Sequence, residues 1–402
     1  MIKQVSRILK FMQRIIQIFI FITGFAFSGN ALAQNFGILQ FGSEPTLDIL
    51  TWNLEYFPKD GQSTLNYLSA AIQAIDPDIV ACQEIEDVNL FNQLVTNLDG
   101  YEGYTGPDDY LNLAFIFKTG IIQVNSFYEI YTGSQYSSQF PRPPLVMDFS
   151  FQGHNFYLIN NHLKCCGDGE MDTGDPDDEE TRRYRACNLL RQYIGTNLPG
   201  EKVLVVGDMN DELTDNTEDN VFQLIINDSE NFRFADMEIA EGNSADWSYP
   251  SWPSHLDHIF VTNELFSALD NPGSAVETIR VDDAFQGGYW VYQDYISDHR
   301  PVGIKLSLPA DLGTESPHLF GNNLLCSPNP SGGITSVSFP PLLSGAIISL
   351  TDIRGTELGQ WHLDKGDSKM VLNGSELPEG LYLIRLIEEN GHQRVARVVL
   401  AR

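Results

Sequence analysis

The chain has 402 residues, enough for one large core and a second, smaller one. It carries 54 Asp and Glu against 24 Lys and Arg, a formal charge of −30, and between residues 34 and 323 the count is 46 acidic against 13 basic. That excludes an extended basic groove for polyanions, and five cysteines, an odd number, exclude a fully paired disulfide framework.

Residues 1–33 read as a signal peptide. Lys3, Arg7, Lys10 and Arg14 precede an apolar run from Ile15 to Phe27, and the small residues Ala31 and Ala33 stand before Gln34. No other run is long enough to span a bilayer, so the mature chain is expected to be soluble, exported and without a stable membrane span.

Between residues 47 and 308, short apolar runs alternate with amphipathic segments. LDILTW, DIVACQE, LAFIFK, FYLINNH, VLVVGD, LDHIFVT and VGIKLSL read as strands. Leu65 to Ile75 and Thr181 to Ile194 read as helices, the second following DPDDEE, which suits the positive end of a helix and offers a cap in Thr181 or a nearby acid. The pattern is α/β. Cys82, inside an apolar strand, is expected to be a buried free thiol, and Cys165 or Cys166 could pair with Cys187 in an oxidising compartment.

From Pro309 to Gly333 the chain is rich in Pro, Gly, Ser and Asn, which marks a boundary with a linker over 309–323. Beyond it, runs such as AIISLTD and LYLIRLIEE predict a small all-β module over 324–402.

Six strand ends carry hydrogen-bonding or metal-ligating groups: Asn53 in LTWNLEY, Glu84 in ACQEIED, His162 in INNHLK, Asp208 and Asn210 in GDMND, Asp257 in SHLDHIF, and Asp298 and His299 in ISDHRPV. One such end is ordinary turn chemistry. Six in one chain are not.

In order and wording these segments resemble the endonuclease/exonuclease/phosphatase superfamily over roughly residues 47 to 308, a catalytic domain placed at 45–308. The resemblance implies a four-layer α/β sandwich of two mixed sheets flanked by helices, with the motif ends in one cleft. It also implies a metal-dependent hydrolase of phosphodiester bonds. A phosphate ester resists attack because its oxygens are already negative, so a hard cation, Mg2+ or Mn2+, should neutralise that charge.

By the same resemblance Glu84 is the main metal ligand, with Asn53 and Asp298 close by. Asp208 orients and activates the attacking water, and Asn210 holds it or a phosphate oxygen. His299, polarised by Asp257, stabilises transition-state charge, and His162 hydrogen-bonds the phosphate. Asn160 and Asn161 beside His162 are alternative phosphate contacts, whereas His154, His255 and His258 are expected to be surface or packed residues.

The substrate is expected to be nucleic acid, with phospholipid headgroups or small phosphoesters as the alternative and a non-catalytic adhesion protein as a remote one. Arg182, Arg183 and Arg185 either reach substrate phosphate, Arg183 being the candidate, or pair with neighbouring acids on a solvated face. Trp247, Tyr249 and Trp252 in DWSYPSWPSH either stack on a base or pack as a Pro-aromatic loop. GDGEMDTGDPDDEE holds enough carboxylates for a structural Ca2+ but lacks EF-hand spacing, and is read as a solvated loop.

The tail, with SPNPSGG, LTDIRGTELG and LPEGLYLIRLIEENGHQRVARVVLAR, resembles the C-terminal sorting domain of the type IX secretion system. That implies the secretion machinery as a partner, export across the outer membrane and a secreted or cell-surface location. A monomer is expected.

Overall fold

A strand that is apolar on both faces must be covered on both, and the chain meets this demand with two sheets stacked face to face and helices outside each. The computed structural model describes residues 34–107, 111–308 and, with short gaps, 324–401; the expected signal peptide and the 309–323 linker lie outside the described residues.

The strands of the large unit are β1 (Leu47–Phe57), β2 (Ile79–Ile85), β3 (Tyr101–Thr105), β4 (Asn112–Lys118), β5 (Gln123–Glu129), β6 (Leu145–Phe151), β7 (His154–His162), β8 (Lys202–Asp208), β9 (Phe232–Phe234), β10 (Asp257–Thr262), β11 (Ala275–Thr278) and β12 (Val302–Leu306). One six-stranded sheet runs β11-β12-β1-β2-β4-β3 and the other β5-β6-β7-β8-β10-β9. Each sheet has one parallel pair, β1–β2 and β7–β8, and every other pairing is antiparallel.

Alternation along the strands builds the layers. Leu47 and Ile49 of β1 face inward to meet Met147, Leu158, Leu204 and Ile259 of the other sheet. Leu50 and Trp52 face outward, under α1 (Gly61–Ile75) and α2 (Val88–Thr96). On the far side α3 (Glu179–Asn197) lays Ala186, Cys187, Leu190 and Ile194 on Val203 and Val205 of β8. Helix, sheet, sheet, helix is the four-layer sandwich expected from the sequence.

All seven predicted strands and both helices are present. The N-cap of α3 is Asp178, whose Oδ2 accepts from the Thr181 N–H at 2.7 Å. Elements the sequence did not reveal are α2, α4 (Tyr289–Tyr295) and strands β3, β5, β6, β9 and β11, of which β3, β5, β9 and β11 lie at or against sheet edges with a weak apolar signal.

The tail forms β13 (Leu325–Ser327), β14 (Ile334–Ser338), β15 (Ala346–Asp352), β16 (Glu357–Leu363), β17 (Lys369–Asn373), β18 (Gly380–Glu388) and β19 (Gln393–Leu400). They make antiparallel sheets of order β13-β14-β17 and β16-β15-β18-β19 around Val337, Ile348, Leu386 and Val398. Among the described residues no helix is long and apolar enough to cross a membrane.

The disulfide expectation needs correction. All five cysteines are free. Cys187 is buried on the sheet side of α3, where burial pushes its thiol up, while Cys165 and Cys166 are exposed with their sulfurs 2.9 Å apart. Cys187 is sealed in the core while the Cys165 and Cys166 side chains stay exposed, so the thiols are kept apart. Cys82 is buried and free as expected.

Candidate active site

The two parallel pairs carry four of the six motif ends. Asn53 and Glu84 stand where the regular β1–β2 ladder ends, and His162 lies opposite Asp208 at the ends of β7 and β8. Carboxyl ends of adjacent parallel strands converge on one edge of their sheet, and stacking the sheets brings the two edges together. Asp257, opening β10, pairs in register with Asp208. His299 follows α4.

Local backbone geometry aims these groups. The β1–β2 ladder is irregular between Asn53 and Phe57, and Glu55, Tyr56 and Glu84 all have left-handed φ values, 39°, 52° and 62°. Such conformations cost of order 1–3 kcal/mol each and persist where surrounding structure enforces them. The enforcement here includes the Glu55 N–H donating to Asn53 Oδ1 at 2.9 Å and the Tyr56 N–H donating to Glu84 Oε2 at 3.0 Å.

Asp208 is the hub. Its Oδ2 accepts from Asn53 Nδ2 at 2.9 Å and lies 3.5 Å from His162 Nε2 and 3.8 Å from His299 Nε2. Its Oδ1 accepts from the Asn210 N–H at 3.0 Å. Asn210, itself left-handed at φ 55°, gives its side-chain N–H to the Leu163 carbonyl at 3.2 Å. Burial raises the Asp208 carboxyl to about 6, and the neighbouring His299 charge works against the rise.

The two histidines are tuned in opposite directions. His299 Nδ1 lies 2.7 Å from Asp257 Oδ2, and although burial opposes its charge, Asp257 and Asp208 hold it well above the ordinary range. His162 is held well below it, first by burial and then by the charges of Arg142 and His299. The surroundings thus favour the charged form of His299 and the neutral form of His162. Tyr249 covers the His299 ring with centroids 4.8 Å apart, and the backbone carbonyl of His299 accepts from Tyr292 Oη and Trp52 Nε1. Ser297 Oγ donates to the Asn53 carbonyl at 2.6 Å, tying the two motifs together.

Asp208, Asp257 and His299 have ligand-type atoms within 4.8 Å of one another. With His299 Nδ1 already taken up by Asp257 at 2.7 Å, this trio reads as an acid–base cluster. Glu84 and Asp298 are the other cleft carboxylates, hard oxygen donors of the kind a divalent ion takes. Asp298 Oδ1 is buried with no hydrogen-bond partner, and burial with the Glu55 charge drives its carboxyl up to about 7 against the His299 charge. Asn53 turns its N–H toward Glu84 and Asp208, at 3.2 and 2.9 Å, and its oxygen toward Glu55. It acts in this structure as a donor between two carboxylates, not as the oxygen ligand expected.

Other expectations change. Arg183 is 2% exposed, with Nε on Asp211 at 2.7 Å, Nη2 on Glu180 at 3.0 Å and Nη1 on the Lys164 and Cys166 carbonyls. All three nitrogens are engaged inside the protein, so it pairs with acids but on no solvated face, and it has none left for substrate. Asn160 is fully buried and links the sheets, accepting from Gln83 and donating to the Cys82 and Ala114 carbonyls. Asn161 spends its N–H on the Ile159 carbonyl. Neither is a phosphate contact.

His255 and His258 are packed, as expected, both on Asp236. Trp252 stands 76% exposed two residues before the Ser254 that bridges Tyr249, and Trp290, 68% exposed, packs edge-on against Tyr289, whose hydroxyl donates to the Asp298 carbonyl. Sequence reasoning missed Arg142, half-buried three residues before β6, whose charge acts on His162, and Glu55. The FPRPPLV context, a lone cation between prolines at a strand entrance, is the signal that could have found Arg142.

The model of the endonuclease/exonuclease/phosphatase family matches residues 50–299, and that of the secretion system C-terminal sorting domain matches residues 327–401. No curated protein matches the chain. Among solved structures, D. rerio TDP2 complexed with single strand DNA product is similar with TM-score 0.49 at 16% identity over 66% of this chain and 100% of that one. The human Nocturnin catalytic domain with bound sulfate anion has TM-score 0.47 at 18% identity over 66% and 96%. The endonuclease/exonuclease/phosphatase from Bacteroides vulgatus has TM-score 0.47 at 16% identity over 66% and 100%.

Proposed function

The chain belongs to the endonuclease/exonuclease/phosphatase family, hydrolases of phosphoric ester bonds, and on that premise we propose that it is an exported nuclease cleaving phosphodiester bonds of DNA or RNA. The observation that carries the reading is the geometry around Asp208: His299, with Nδ1 2.7 Å from Asp257 and Nε2 3.8 Å from Asp208, and His162, with Nε2 3.5 Å from the same Asp208 carboxylate.

In this reading Asp208 orients the attacking water and draws its proton, being ionised at neutral pH yet more basic than an ordinary carboxylate. Asn210 fixes that carboxylate from its own backbone N–H. The charged His299 stabilises the extra negative charge of the pentacoordinate transition state, and His162 and Arg142 hold the phosphate. Asp257 keeps His299 protonated and oriented. Glu84, with Asp298, would hold Mg2+ or Mn2+, which when bound supplies charge neutralisation and polarisation of the phosphate. Asn53 would hold Glu84 and Asp208 in register for it.

Tyr249, Trp252 and Trp290 give the cleft an aromatic rim suited to unstacked bases. The same exposed indoles, on a chain of net charge −30, support a second reading in which the substrate is a phospholipid headgroup at a membrane surface. The tail matches a secretion system sorting domain, which supports a secreted or cell-surface location; the route through a cleaved 1–33 segment is part of the proposal.

Purified protein assayed on plasmid DNA, RNA, sphingomyelin and bis-nitrophenyl phosphate separates the readings. Nucleic acid should be cut, with activity abolished by EDTA and restored by magnesium. Turnover of sphingomyelin or the small diester alone would replace the nuclease reading with the second one.

A further inference from the structure

The stretch GDGEMDTGDPDDEE, residues 167–180, joins β7 to α3, and the catalytic scheme uses none of its carboxylates. Asp168, Asp178 and Glu180 nevertheless bring one carboxylate oxygen each within 4.8 Å of one another. Exposed acids often cluster so, but the third member of this cluster is 2% exposed. Its Oε1 accepts from the Gly169 N–H and from Arg183, both at 3.0 Å. Its Oε2 is shut off from solvent and has no partner at all.

A carboxylate oxygen buried without a partner costs about 1–3 kcal/mol or more, and nearby charge does not explain this one away. Arg183 is the cation beside Glu180, and its guanidinium is shared with Asp211 at 2.7 Å. One positive charge therefore serves two buried carboxylates, with Asp178 and Asp168 adding to the excess. Asp168 Oδ1 and Asp178 Oδ2 are each held by backbone N–H groups of Glu170 and Thr181. Gly167, at φ +117°, runs so close to Glu180 that a Cβ there would lie 2.0 Å from Oε1. The backbone is folded around this carboxylate.

We propose that Asp168, Asp178 and Glu180 form a calcium site distinct from the catalytic cleft. The donors are hard oxygens only, which selects against zinc and copper. A surface loop that leaves room for carbonyls and water suits the six to eight oxygens of calcium better than the small octahedron of magnesium. Occupancy would neutralise the charge excess and fasten the loop whose Lys164 and Cys166 carbonyls Arg183 already holds. The site does not depend on the nuclease reading.

The test is calorimetric titration of the purified chain with CaCl2 at saturating MgCl2, beside Asp168→Asn and Glu180→Gln. One calcium should bind to the wild-type protein, with affinity reduced at least tenfold in Asp168→Asn and binding lost in Glu180→Gln. Calcium should also slow proteolysis of the 164–178 loop in the wild type alone. Because Glu180→Gln disturbs Arg183, the exposed Asp168 variant carries the decision. Absence of calcium binding under magnesium, or an Asp168→Asn titration like that of the wild type, overturns the proposal; the second result would place any bound calcium in the catalytic cleft.

Discussion

Gly207 of β8 lies against Asn161 of β7 so closely that a Cβ on the glycine would fall 2.0 Å from the Asn161 carbonyl oxygen. The contact, at φ +145°, is one residue before the place where His162 and Asp208 stand side by side. Gly207 thus sets the approach of two side chains of the candidate active site, His162 and Asp208.

Gly207→Ala should therefore lose stability and activity together. Backbone would have to move on both strands, a cost of about 2–4 kcal/mol for a buried site with both steric clash and an unfavourable φ. In a domain of this size that lowers Tm by roughly 5 °C or more. Calorimetry and initial rates on the purified variant check it; a normal Tm with normal kcat would mean the strands have slack.

Removing the Arg183 side chain separates structure from substrate binding. Arg183→Ala leaves Glu180 and Asp211 buried without their cation, and breaking a buried pair in this way costs about 3–5 kcal/mol. The expected signature is a large fall in Tm with KM for nucleic acid unchanged in the fraction that stays folded. A raised KM at unchanged Tm would put Arg183 back among the substrate contacts.

Much of this site was legible because its residues border strands that bury both faces. Asn53, Glu84, His162 and Asp208 follow apolar runs, and Asp257 precedes one, so the apolar pattern marks where each stands. Residues that act through folding itself were not legible. Glu55 reaches Asp298 through an irregularity in β1 that a regular strand pattern hides, and Arg142 acts on His162 from a proline-flanked segment before β6 that no strand pattern covers. Arg183 was misplaced because the weak amphipathic pattern of α3 does not reveal that this turn is covered by the loop at 164–169. Asp236 and His258 are 22 residues apart, and the bond between them depends on the short β9–β10 pairing.

That buried pair predicts a pH optimum of stability. Burial alone would raise the Asp236 carboxyl and lower His258, but the two hydrogen-bonded charges, 2.6 Å apart, reverse both shifts. Asp236, held low, contributes stability that is present above the ordinary carboxylate pKa of about 4 and is lost as pH falls through its folded value. His258, held high, contributes stability that is fully present below about pH 6.5 and is lost as pH rises through its folded value. The pair should add most between about pH 4 and 6.5. Tm measured across pH 4 to 9 should show this advantage in the wild-type protein and lose it in Asp236→Asn; parallel curves would remove the pair from the account.

Trp252 tests the aromatic rim. Being largely exposed, it should leave Tm within a degree or two when replaced by alanine. Stacking on an unpaired base is worth about 1–3 kcal/mol, so KM for single-stranded DNA should rise roughly fivefold to a hundredfold with kcat little changed. An unaltered KM for DNA with reduced turnover of sphingomyelin vesicles would assign the indole to a lipid surface.

Charge decides how this enzyme can hold a polyanion at all. Proteins that bind nucleic acid through many Lys and Arg contacts lose affinity by roughly 0.9 log units per log of salt for each phosphate neutralised. With 13 basic against 46 acidic residues between 34 and 323, and Arg183 withdrawn into the interior, few cations remain to make such contacts. On the proposed reading affinity comes from the cleft itself, from His299, Arg142 and a bound divalent ion. KM for DNA should therefore rise only shallowly with sodium chloride at fixed magnesium. Raising magnesium should lower KM beyond its effect on kcat, because it screens the acidic surface that repels the substrate. Steady-state kinetics over 50 to 300 mM sodium chloride, on the order of the range where strong phosphate binders lose several decades of affinity, gives the slope. A steep one would mean that the few basic residues are gathered along the DNA path, against the distribution described here.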